Sequence, residues 1–350
     1  MRKLCVNELL TPKMVRLFQS IREDENARLV RSLRESSGSP VNFTEKLFAM
    51  SSSITCRAAF GGACKDSETL IKMMADSQKM VGGFEMVDLF PSWRIAGAMS
   101  WRKLRLMKTM RGRLDKILDD IIDRHRRKLV ESGNRGIRSL GDVFTAGIDT
   151  SASTIDWTMV ELLRHPRVMT KVQAEVRQAL DESNTNKIEQ NDVVYDLKYL
   201  KLVIKETLRL HPPVPMLPRS CNKEHVINGC TIPAGSMVLV NIWAMQRDPS
   251  YWENPERFEP ERFETEDLNF VGGDFKYSPF GIGRRICPGP TFGLAAVESA
   301  LAQLLYNFDW ELPRGVNPEN LDMTENVGNT ASRQQHLFVI AIPYTPTIES

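Results

Sequence analysis

Apolar positions recur at three- and four-residue spacing through most of the chain and alternate only over short stretches in its later half. In 1–36, Met14, Val15, Phe18 and Ile21, then Leu29, Val30 and Leu33, predict two helices, with Thr11-Pro12 as the start signal of the second. Asn42, with Glu45 three residues on, predicts a capped entry to a further helix. A long amphipathic helix is predicted over 101–128, striped by Met107, Met110, Leu114, Ile117 and Ile121. Its basic positions run straight into Asp115, Asp119, Asp120 and Asp123, which marks a solvated face rather than an anion-binding one. The aromatic, breaker-rich interval 82–93 reads either as a loop packed on the body or as a substrate-access or membrane-contact surface.

Residues 129–140 are polar and interrupted by two glycines. The pattern then switches into 141–157, and a helical spacing continues through Met159, Leu162 and Leu163 to His165-Pro166. Gly147 and the run Thr150-Ser151-Ala152-Ser153-Thr154 are poor helix interior. Hydroxyls that bond back to the i−4 carbonyl bend a helix, so this stretch predicts either a bent helix with an opened turn that makes a groove, or an inert helix start. Further helices are predicted at 166–182 and 197–210, the second stopped by His211-Pro212-Pro213. Strands are predicted within 226–241, with turns at Asn228-Gly229 and Pro233-Ala234-Gly235, and a short β tail around 336–342. Between them lies a proline- and aromatic-rich meander, 249–280, holding Pro-Glu-Arg-Phe twice, at 255–258 and 260–263. The fold class is mainly α with a small β portion.

Composition narrows the picture only modestly. At 350 residues, 42% apolar and 26% charged, the chain is an ordinary globular one. A net charge of +2 argues against a general nucleic-acid binder. The six cysteines form no CxxC pair, and the five histidines no HxxxH pair, so there is no zinc signature. No apolar run is long enough to cross a bilayer, and Met1-Arg2-Lys3 leads into a mixed helix, so neither signal peptide nor membrane anchor is expected.

The sharpest chemical signal is FGIGRRICPG at 280–289. Its fixed points are Phe280, Gly283, Arg285, Cys287 and Gly289, and it opens a helix carrying Phe292, Leu294, Val297, Leu301 and Leu304. Glycines let backbone pass close to a flat ligand. A sulfur at a helix N-terminus beside two arginines is expected to be stabilised as thiolate by dipole and charge, which suits an axial ligand of haem iron. Upstream, Glu206 and Arg209 sit at i and i+3 on one helix face.

Four signals now stand in order: Ala146-Gly147-Ile148-Asp149-Thr150-Ser151, Glu206-Thr207-Leu208-Arg209, Pro260-Glu261-Arg262-Phe263 and the cysteine loop. Together they resemble the cytochrome P450 family, the haem-thiolate monooxygenases, and the phrasing of the loop and meander resembles its plant microsomal branch. The resemblance implies that Cys287 is the axial ligand of haem b, that Arg285 and Arg219 pair the propionates, and that Phe280 packs on the haem within the loop bounded by Gly283 and Gly289. It implies a buried ion network of Glu206, Arg209 and Arg262, and proton supply from Asp149 and Thr150. Substrate is then expected against Phe144, Ala146, Gly147, Val214, Met216, Leu217, Val327 and Gly328.

The implied activity is insertion of one oxygen atom of O2 into an apolar small molecule of plant specialised metabolism. Electrons come from NADPH through NADPH-cytochrome P450 reductase, and no nucleic acid is involved. The family's place is the cytosolic face of the endoplasmic reticulum membrane; without an anchor, a peripheral or cytosolic chain is expected. One incomplete P450 domain over 1–350 is expected, with 1–140 the helical distal and access part, and 141–350 the central helix, Glu-x-x-Arg helix, meander and haem-thiolate loop. Against the family pattern the chain reads as truncated at its N-terminus, without the Trp-Arg pair that holds a propionate, and as gapped at 129–140. From Leu140 to Thr150 remain about ten residues, roughly 15 Å of helix. The alternative reading is therefore a non-catalytic or uncoupled truncated remnant that binds haem. An isomerase or dehydratase is disfavoured by the presence of both Asp149 and Thr150.

Overall fold

A computed structural model describes residues 2–60, 140–186, 193–194, 196–266, 268–271, 273–326 and 330–345, with scattered positions between 93 and 116. Residues 82–92 of the aromatic interval, most of the helix predicted at 101–128 and residues 129–139 of the break lie outside the described residues.

The N-terminal pattern resolves into α1 (Arg2–Leu4), a π-helical turn Cys5–Leu9, α2 (Pro12–Leu17) and α3 (Gln19–Glu35). Thr11 caps α2, its hydroxyl accepting from the Met14 N–H at 3.2 Å. The predicted second helix is thus broken at Phe18, which ends α2 and starts α3. After β1 (Pro40–Asn42), the Asn42 side chain accepts from the Glu45 N–H at 3.2 Å and opens α4 (Phe43–Phe60).

The centre is α5 (Leu140–Arg164). From Ser151 to Leu163 every residue is buried, including Trp157 and Glu161, and a helix buried all round must lie inside the domain. It packs on α4, α7 (Lys198–Leu210) and α9 (Pro290–Asn307). Around it gather Leu47 and Ile54 of α4, Val203 and Ile204 of α7, and Leu301 and Leu305 of α9, in one core. The helix α6 (Pro166–Asn186) runs a turn beyond its predicted end, and within that turn the Ser183 hydroxyl is buried and donates to the Leu180 carbonyl at 2.9 Å.

The β portion is small. β2 (Met216–Ser220) pairs antiparallel with β5 (Met237–Asn241), while β3 (His225–Ile227) and β4 (Cys230–Ile232) form a hairpin. Asn228 and Gly229, at φ 50° and 78°, supply the left-handed turn that such a hairpin needs. A short α8 (Ile242–Met245) follows, then the meander with a 3-10 turn at Pro260–Phe263. Beyond α9 come β6 (Phe308–Glu311), β7 (Glu325–Asn326), β8 (Ser332–Arg333) and β9 (Phe338–Pro343). Sheet order β1-β9-β6 ties the first forty residues to the chain's end, a pairing no local pattern announces.

Candidate functional site

The cysteine loop is shaped by its backbone. Gly281 and Gly283 take φ of 71° and 74°, and the Cys287 N–H donates to the Phe280 carbonyl at 2.9 Å, closing the loop. A Cβ on Gly281 would also stand 3.3 Å from Leu217 Cδ1, a tight approach that Leu217 would have to yield to, on top of the left-handed backbone. Gly289 caps α9, and its N–H donates to Cys287 Sγ at 3.4 Å.

Cys287 borders a cavity of about 220 Å³ walled by α5, the segment after α7, the loop and α9. Ala146, Thr150, Ser151 and Thr154 come from α5, Val214 and Leu217 from the turn and β2, and Leu294 and Val297 from α9. Phe280 and Arg285 also border it. Arg219 does not: its guanidinium donates to the Pro218 carbonyl at 2.9 Å. Met216 starts β2 half-buried and is not a wall residue. Gly147 turns to α4, where a Cβ would meet Thr55 at 3.5 Å. The side chain of Phe144, and all of Val327 and Gly328, lie outside the described residues.

Two expectations need correcting. The α5 helix is continuous from Leu140 to Arg164, with no opened turn. The hydroxyls do fold back, Thr150 to the Ala146 carbonyl at 2.6 Å, Thr154 to Thr150 and Thr158 to Thr154 both at 2.7 Å, but the helix absorbs these bonds without breaking. The groove comes instead from separation between α5 and the cysteine loop. Nor do the neighbouring arginines set the state of the thiol. Burial pushes the Cys287 thiol up, opposed by the Gly289 N–H and by the charge of Arg2. Arg2, unmarked by any sequence signal, donates to the Ile286 carbonyl and is the cation that Cys287 feels.

Asp149 is buried beside the cavity rather than in its wall, and burial pushes its carboxyl up to about 7. Glu206, Arg209 and Arg262 do meet. Arg209 Nε and Nη2 reach the two Glu206 oxygens at 2.7 and 2.9 Å, and Arg262 Nε reaches Glu206 Oε1 at 3.0 Å. The other Arg209 N–H groups go to the carbonyls of Gln246, Pro255 and Arg257, so all five of its donors are used inside the protein. A fully satisfied arginine thus stitches α7 to the meander that leads into the cysteine loop.

A haem fits these residues. Among the described residues no group of three or more His, Cys, Asp or Glu could hold a metal alone, so iron at Cys287 must bring its other ligands, as a porphyrin does. The walls are apolar where a macrocycle would lie, and Arg2 and Arg285 stand at the loop as cations for its carboxylates.

The cytochrome P450 family model matches residues 1–140 and 137–338, two blocks that meet where the sequence predicts a gap. Premnaspirodiene oxygenase of Hyoscyamus muticus is 46% identical over 379 residues, covering 100% of this chain and 75% of that protein. Cytochrome P450 71D15 of Mentha piperita is 44% identical over 373 residues, covering 99% and 74%, and Cytochrome P450 71D7 of Solanum chacoense is 44% identical over 378 residues, covering 99% and 75%. The 379 aligned positions exceed the 350 residues here, so the Hyoscyamus protein carries residues within the matched span that this chain lacks. With the motifs in order and matches of this extent, the chain belongs to the cytochrome P450 family, as a haem-thiolate monooxygenase of plant secondary metabolism whose cofactor is haem b.

Proposed function

We propose that Cys287 ligates haem b within the cavity between α5 and the cysteine loop, and that an apolar plant metabolite is oxygenated on the α5 side. The observation that carries this is the placement of Cys287 and Thr150 on one 220 Å³ cavity whose other walls are mostly apolar, apart from Ser151, Thr154 and Arg285. Haem b, when bound, supplies the activation of O2 for insertion of one oxygen atom. Arg285 and Arg2 would hold its propionates; Leu294, Val297, Val214 and Leu217 would orient substrate and keep water out. Thr150 directs its own proton to the Ala146 carbonyl and so offers lone pairs to the cavity, while Asp149 behind it, near 7, can exchange a proton at neutral pH. Electrons would come from NADPH through the reductase, at the cytosolic face of the endoplasmic reticulum; no helix among the described residues is long and apolar enough to cross a membrane.

A second reading, an uncoupled enzyme, is favoured by one feature. Ala146 borders the cavity and is exposed, and an open site admits water and side reactions. The test supplies reductase, NADPH and a panel of apolar compounds starting with premnaspirodiene, and quantifies NADPH, peroxide and oxygenated product together. Product matching NADPH one for one supports the coupled enzyme; peroxide and water with little product supports the uncoupled one. No NADPH consumption by a haem-loaded chain contradicts both.

A further inference from the structure

Two turns beyond Thr154 on α5 lies a buried polar pair that the cavity does not include. Glu161 Oε1 and His211 Nε2 are 2.7 Å apart, and both residues are at most 6% exposed. Burial opposes the charge on Glu161, yet hydrogen bonds from His165 and His211 and the charges of His211 and Arg164 hold its carboxyl at about 2. His211 is the C-cap of α7, and its ring lies flat on Trp157, centroids 4.0 Å apart at 2°. Trp157 Nε1 and Ser153 Oγ both donate to the Ala331 carbonyl, at 3.3 and 2.9 Å. The Ala331 N–H in turn donates to the Pro213 carbonyl at 2.8 Å.

These contacts close a circuit from α5 through His211 to the segment after α7, and back through Ala331 to α5. The segment so enclosed, Pro212-Pro213-Val214-Pro215, has three prolines and hence almost no N–H groups with which to hold itself. Yet Pro213 and Val214 wall the cavity, with Leu217 just beyond. Its position is therefore set through its carbonyls and its ends: Ala331 N–H at the Pro213 carbonyl, the Ile242 and Trp243 N–H groups at the Pro215 carbonyl at 2.8 and 3.2 Å, and His211 at its start.

We propose that Glu161 and His211, stacked on Trp157, form a positioning clasp that sets the prolyl wall of the cavity and thereby the size of molecule admitted. The clasp touches no reacting atom, and it rests on the reading of the Cys287 cavity as the haem and substrate chamber. Breaking it loosens the Pro212–Val214 end of the segment, while Pro215 and β2 stay held by α8 and β5, and it removes no wall residue.

The test compares the parent chain with His211→Leu, with His211→Asn, whose amide is too short to reach Glu161, and with His211→Gln, whose amide can still donate to it. The chains are loaded with haem b and titrated with imidazole, which needs only the iron, and with 4-phenylimidazole, which also needs the wall. The Leu and Asn variants are expected to weaken 4-phenylimidazole about tenfold relative to imidazole, and the Gln variant to recover to within about threefold. Equal weakening of both probes, or of neither, overturns the proposal. Hydrogen–deuterium exchange on the haem-free chains reads the same clasp without haem. The peptide containing Ala331 is expected to exchange about tenfold faster in the Leu and Asn variants than in parent and Gln chains. A parent that binds no haem defeats the chamber reading, and exchange then decides the clasp alone; unchanged exchange at Ala331 overturns it. If His211→Leu does not fold, the polar Asn variant carries both measurements.

Discussion

The guanidinium of Arg2 donates to the carbonyl of Ile286, the residue before Cys287, joining the first turn of the chain to the cysteine loop. This contact ties Arg2 to the loop and brings its positive charge near the sulfur. Arg2→Leu is expected to raise the rate of haem loss to apomyoglobin by about tenfold, the lower end for losing a group that orients a metal ligand, with Arg2→Lys between the two. Haem loss at the parent rate in the Leu variant would show the contact to be incidental.

Glu206, Arg209 and Arg262 are expected to behave as one unit. Glu206 is 0% exposed between its two arginines, so removing either leaves a buried charge short of a partner. Single truncations should cost about 3–5 kcal/mol. A Glu206/Arg262 double-mutant cycle in urea unfolding should give a coupling above roughly 1 kcal/mol, more than an exposed pair supplies. Additive effects would mark the network as three independent contacts.

That network shows what the sequence makes legible. The i,i+3 spacing of Glu206 and Arg209 places them on one face, and the motif supplies Arg262, because both are local facts joined by a recurring pattern. The helical period after Cys287 likewise places Leu294 and Val297 on a helix, but that they wall the cavity is seen only in the fold. The roles of Arg2 and of the Glu161–His211 pair are not legible in the sequence. Each depends on chain segments brought together only by the tertiary fold, and neither an isolated arginine nor a histidine before two prolines carries a local signature. Of the two readings of α5, the opened turn fails for a related reason: poor helix formers at Ser153 and Thr154 are overridden by burial, which propensity does not register. Likewise β1 pairs with β9 across almost the whole sequence.

Asp149 gives a pH dependence with a definite sign. Its folded value, about 7, lies above that of an unfolded aspartate, so the folded state holds the proton that the unfolded state releases. Stability from this group is therefore present below the unfolded value, falls as pH rises from about 4 toward 7, and stays lost above. Asp149→Asn should thus be more stable than the parent at pH 8, by a few kcal/mol at most, with the gap closing near pH 4. A parent–variant difference that is flat with pH would contradict the burial of an unpaired carboxyl.

Thr150 bears on whether the cavity is sealed. With Ala146 exposed where it borders the cavity, water can supply protons directly, so Thr150→Ala is expected to change the peroxide-to-product ratio less than about twofold. A strong loss of product in that variant, from a parent tightly coupled to NADPH, would show the remaining fold to build a closed site.

The central claim is that Cys287 is the sulfur that binds haem iron, and its most direct test is the reduced carbon monoxide difference spectrum of the haem-loaded chain beside that of Cys287→Ser. The account predicts a thiolate-type Soret band in the parent and its complete loss in the variant, while Cys221→Ser and Cys230→Ser keep it. The same thiolate band in Cys287→Ser would contradict it.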